Sequence, residues 1–135
     1  MNCKIKSYFR HTLLLKIFSY NGKKPTGTIH AVGTSTIYTV KNLTQLLLYI
    51  DGLDEENMDF APAKEDIFEL ARRQSQKSIA DFKIDIYFKK FGAWQGEITC
   101  INSKGTACFR SIIEMVTMID CEIENILNAR QRKEA

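Results

Sequence analysis

Two histidines, His11 and His30, and four cysteines, Cys3, Cys100, Cys108 and Cys121, are the side chains of this sequence best suited to act as base, nucleophile or soft metal ligand. Nucleophilic catalysis needs a base within hydrogen-bond reach of the nucleophile. Both histidines fall on or beside predicted strands, where a histidine usually makes a surface or structural hydrogen bond. No G-x-S-x-G, H-E-x-x-H or phosphate-loop pattern is present. The sequence therefore predicts no catalytic residue and no enzyme. The cysteines form no C-x-x-C pair, and two histidines do not complete a zinc site of ordinary spacing. No metal and no cofactor is expected, and the cysteines read as reduced, mostly buried thiols. The run from Asp51 to Asp59 superficially matches a calcium loop, but its third position is Leu53 and its sixth is Glu56. Calcium loops place a ligand and a glycine there, so the run reads as a solvated acidic linker.

Binding chemistry is better represented than catalysis. Residues 1–50 carry seven Lys/Arg and no Asp or Glu; residues 51–70 carry eight acids and only Lys64 as a base; residues 71–135 carry eleven bases and eight acids. The net charge is +3. Such block asymmetry marks either a polyanion-binding face or acidic and basic blocks that pair within the fold. Trp94-Gln95-Gly96 is the most distinctive local feature. Glycine within a strand admits a close backbone approach or a bulge. Trp94 shares a face with Ile98, which makes it a core-edge residue or an aromatic anchor for a partner.

The elements that position these residues follow from a repeat. Residues 27–51 and 96–120 align without a gap at an offset of 69. Gly27/Gly96, Ile29/Ile98, Ile50/Ile119 and Asp51/Asp120 are identical, and Val40/Phe109, Lys41/Arg110, Asn42/Ser111, Leu43/Ile112, Gln45/Glu114 and Leu46/Met115 keep their class. Upstream, Leu13/Phe82, Leu15/Ile84, Ile17/Ile86 and Phe18/Tyr87 continue the match. Each copy reads strand, strand, strand, helix. Phe82, Ile84, Ile86 and Phe88 alternate with Lys83, Asp85 and Tyr87, the period of a half-buried strand. Strands are predicted over 12–20, 26–32 and 36–41, then from about 81 to 88, 94–101 and 106–110. Asn42-x-x-Gln45 and Ser111-x-x-Glu114 are capping boxes that open the two helices. Gly52 suits a cap at the end of the first. A further helix is predicted from Ala63 to about Ser78.

The expected fold is α+β: internally duplicated β-β-β-α units forming an antiparallel sheet with helices on one face. Residues 1–135 form a single pseudo-twofold domain, with repeat 1 at about 12–52, a linker and helix at about 53–80, and repeat 2 at about 81–130. Pairing Cys100 with Ala107 is predicted to place Ile98, Cys100, Ala107 and Phe109 on the core face. Cys100 and Cys108 then point to opposite faces and form no disulfide with each other. The outer face is expected to carry Phe18, Tyr20, Val32, Ile37, Tyr87, Ile101 and Cys108, interleaved with Lys16, Lys41, Lys83 and Arg110.

Trp94-Gln95-Gly96, Phe109-Arg110-Ser111, Glu114 and Ile119-Asp120 together give a W-Q-G … F-R-S-x-x-E … I-D pattern across about the last 55 residues. In this the chain resembles small, functionally uncharacterised proteins of clostridia and related Firmicutes; the resemblance implies no activity. The doubled strands-then-helix layout is also similar in outline to PUR-type single-stranded nucleic-acid-binding domains. No apolar run approaches the roughly 18 residues of a membrane span. Lys16 interrupts the N-terminal apolar stretch, so no signal peptide is read. A cytoplasmic location and no membrane partner are expected.

The sequence thus predicts a non-catalytic binding module, a small regulator or inhibitor docking on a protein partner. Its contact residues are expected to be Phe18, Tyr20, Tyr87, Trp94 and Ile101, with homodimerisation through the same face and a mobile-element setting as corollaries. The alternative is single-stranded nucleic-acid binding, with Lys16, Lys41, Lys83 and Arg110 on phosphates and the aromatics stacking bases.

Overall fold

The computed structural model describes residues 11–32, 37–53, 77–88 and 94–134. In chain order these form β1 (His11–Asn21), β2 (Lys24–Ala31), β3 (Ile37–Val40), α1 (Leu43–Asp51), β4 (Ala80–Phe88), β5 (Gln95–Cys100), β6 (Gly105–Phe109) and α2 (Ile112–Glu134). The predicted helix over 63–78 lies outside the described residues except at its very end. All six strands join one antiparallel sheet in the order β3-β2-β1-β4-β5-β6. The fold is therefore α+β.

Period-2 alternation places Leu13, Leu15, Ile17, Ile29, Val40, Phe82, Ile84, Ile86, Ile98 and Phe109 on one face. Leu46 and Ile50 of α1 and Met115, Ile119 and Ile123 of α2 join them in a single buried cluster. Each such side chain contributes roughly 1.5–3 kcal/mol by leaving water.

The two halves share their pairing numbers. Leu15↔Ile29 and Gly27↔Val40 recur, with 69 added to each number, as Ile84↔Ile98 and Gly96↔Phe109. A bulge lies between Ile17 and Ser19 in β1, and another between Ile86 and Phe88 in β4. At the centre β1 pairs with β4 around Leu14↔Lys83, which are themselves 69 apart. Both helices begin alike. Asn42 accepts from the Gln45 N–H at 2.9 Å while the Gln45 side chain accepts from the Lys41 N–H at 2.7 Å. Ser111 accepts from the Glu114 N–H at 3.1 Å and Glu114 from the Arg110 N–H at 2.8 Å. The returning bond thus reaches the residue before the cap. Gly52 caps α1 with φ −79°, a conformation open to any residue.

Three expectations are corrected. Cys100 pairs with Gly105, and Ala107 lies opposite Ile98, two places from the predicted register but with the same faces. Tyr20 lies on the helix side, packed against the core, because the bulge after Ile17 reverses the alternation. Cys108 is disulfide-bonded, contrary to the all-thiol reading; Cys100 and Cys121 are free.

Candidate interaction surface

The outer face of the central strands is closed rather than open. Lys16 stands directly opposite Asp81, and Thr12 opposite Asp85. The Lys16 ammonium lies 3.4 Å from Asp81 with only 3% of its side chain exposed. The Thr12 hydroxyl donates to Asp85 at 2.6 Å, and Lys83 reaches the other Asp85 oxygen at 3.3 Å. Leu14 is buried between these pairs and packs with half-buried Val32 and Ile101. His30, Asp85 and Tyr87 are buried as well. Buried charges persist only where paired, and these are.

The predicted contact residues are dispersed. Trp94 is in the core cluster, since unbroken alternation from Ile98 through Gly96 keeps it on that face. Tyr87 is the bulge residue of β4 and is buried. Tyr20 donates to Asp120 at 3.2 Å, and its phenol is pushed up to about 12, first by burial and then by that carboxylate. Phe18 and Ile101 are half-buried. Of the four bases, Lys16 and Lys83 are engaged with Asp81 and Asp85, while Lys41 and Arg110 are exposed.

Large apolar side chains reach solvent singly at Ile113 of α2, exposed by 78%, and as a group at the β3 end of the sheet. Edge strand β3 exposes Ile37 by 49% and Tyr38 by 50%, on opposite faces, and Leu48 of α1 is exposed by 65%. The Tyr38 ring leans on Tyr49 of α1 with centroids 5.1 Å apart. Burial raises the Tyr49 phenol above its usual range, Tyr38 adds to this, and a backbone hydrogen bond with Ala31 pulls the other way. Tyr38 and Leu48 escaped the sequence reading, although signals existed. Adjacent Ile37 and Tyr38 make a strand apolar on both faces. Three successive leucines, Leu46 to Leu48, cannot all face inward on a helix turning about 100° per residue.

Among the described residues no three His, Cys, Asp or Glu side chains converge to hold a metal. No described helix is long and apolar enough to cross a membrane. Comparison with protein-family models, curated proteins and solved structures finds no match.

Proposed function

We propose that this chain is a non-catalytic protein-binding module that docks through edge strand β3 and the neighbouring surface of α1. The observation that carries the reading is the exposure of Ile37, Tyr38 and Leu48 at one sheet edge. Natural edges are usually blunted by charge, proline or a bulge, and residues 37–40 contain no charge and no proline. Pairing of an added strand supplies backbone hydrogen bonds, while alternate side chains supply selectivity. The partner is a protein acted on by a small regulator or inhibitor, or a second copy. The nucleic-acid alternative is weaker: Lys41 and Arg110 follow the two opposite edge strands, about 24 Å apart across five strand spacings.

The same reading takes the chain as one duplicated β-β-β-α domain, supported by the shared offset of 69 in register, bulge and cap. Its likeness to the small clostridial proteins and its cytoplasmic location belong to the proposal. Cys108 tests the latter, since a disulfide there in protein isolated with thiols trapped would indicate an oxidising compartment.

The test places a photo-cross-linking side chain at 38, 48 or 18 in living cells. One defined adduct from 38 and 48, lost when Ile37→Lys is added, supports the edge. Adducts from 18 alone, or tight and salt-sensitive oligonucleotide binding by the purified chain, overturn it.

A further inference from the structure

An open cleft of about 320 Å³ lies between α2 and strands β5 and β6, with Ile98, Ala107, Thr117, Met118, Cys121 and Glu122 in its wall. Its origin follows from the other half of the molecule. Ile98↔Ala107 matches Ile29↔Tyr38 at the offset of 69, and α2 starts from Ser111 as α1 starts from Asn42. Tyr38 therefore corresponds to Ala107, Leu48 to Thr117 and Tyr49 to Met118. In the first half the Tyr38 ring rests against Tyr49, inclined by 50°. In the second half alanine takes the place of that ring, and the cleft is the space left.

We propose that this cleft is a binding site for a small aromatic amine, one ring seated between Ala107 and Met118 with its cation at Glu122. Three features support this class of ligand. The corresponding position shows that the backbone frame accommodates an aromatic ring. The Met118 thioether is polarizable and favours aromatic contact. Among the described residues the wall holds one carboxylate, Glu122, and no base, so an ammonium is favoured over an anion. The volume, at the lower end for ligand pockets, suits a single ring with a short chain.

The test uses the full-length protein and calorimetric titration with tyramine, 4-ethylphenol and 3-(4-hydroxyphenyl)propionate, which share the ring and differ in charge. Tyramine is expected to bind most tightly and the propionate least. Glu122→Gln is expected to weaken tyramine about fivefold, the scale of a partly exposed ion pair, and to leave 4-ethylphenol unchanged. Ala107→Tyr supplies the ring in the chain itself and abolishes binding of all three. Ala107→Leu does the same should the larger substitution unfold the protein, with thermal unfolding checking the fold of each. Tyramine is also expected to slow alkylation of the exposed Cys121 thiol. Failure of all three probes to bind, equal affinity for amine and propionate, or undiminished binding by a folded, filled cleft overturns the proposal.

Discussion

Alanine at Gly27 or Gly96 is expected to be the most damaging single-methyl change in the described chain. A Cβ at Gly27 would stand 1.7 Å from the Lys16 carbonyl oxygen, and one at Gly96 would stand 2.0 Å from that of Asp85. Real Cβ atoms essentially never come closer than 3.0 Å. The neighbouring strand must therefore retreat by about 1.3 Å at Gly27 and about 1 Å at Gly96, each beside a bulge. Neither obstacle is a side chain that can rotate away. At Gly96 the Phe109 ring is crowded as well, at 2.9 Å. Such a retreat stretches flanking ladder bonds worth about 1 kcal/mol each and loosens the core beneath. The expected loss is roughly 3–5 kcal/mol, against a total of about 5–15 kcal/mol for a domain, or roughly 10–20 °C in Tm. Two other glycines calibrate the measurement. Gly22 has open space but φ +61°, so alanine costs about 1 kcal/mol through the left-handed backbone alone. Gly105 meets nothing closer than 3.6 Å, and alanine there should stay within about 0.5 kcal/mol. Urea unfolding followed by the fluorescence of Trp94, the sole tryptophan, gives all four midpoints. A Gly27→Ala or Gly96→Ala variant within about 1 kcal/mol of the parent refutes the argument.

Further outcomes are expected. Asn42→Ala and Ser111→Ala should each lose about 1 kcal/mol by urea midpoint, whereas Thr117→Ala, on the exposed side of α2, should not. The Tyr20 phenol ionises near 12 in the folded chain, against an ordinary value of 10. Its stabilising effect is complete below pH 10 and is lost as pH rises from 10 through 12, because the unfolded chain ionises first. Tyr20→Phe should therefore flatten the alkaline decline in stability, and an unchanged decline would refute the assignment. In native protein, maleimide should modify exposed Cys121 rapidly and buried Cys100 slowly; peptide mapping reads each site.

Much of this architecture was legible in the sequence, and what was missed has a physical reason. The capping residues could be read because Asn42-x-x-Gln45 and Ser111-x-x-Glu114 act locally. The faces of Ile98, Cys100, Ala107 and Phe109 could be read because alternation fixes parity even when register is off by two. Tyr20 was misplaced because parity was carried unbroken past Ile17. The warning lay in Gly27 and Gly96, equivalent glycines whose missing Cβ admits a carbonyl at a bulge. The edge position of β3, and hence Ile37 and Tyr38, depends on strand order. That order is settled by β1 pairing with β4 across about 60 intervening residues, which no local pattern encodes.

The buried charges explain why the broad outer face is poorly suited to docking. With β1 and β4 in register, Lys16 meets Asp81 and Thr12 meets Asp85. A slip of two residues one way sets Lys16 against Lys83; a slip the other way sets it against Ile79. Either leaves an ammonium without its carboxylate in a site where only 3% of its side chain is exposed. Breaking a buried pair costs several kcal/mol more than forming it gains, so the polar residues at the centre act mainly against misregister. Lys16, which looked from sequence like a phosphate contact, is engaged in holding the two halves of the sheet together. Among the described residues, exposed apolar surface then remains at Ile113 of α2 and at the β3 edge, where Ile37 and Tyr38 end the order of strands.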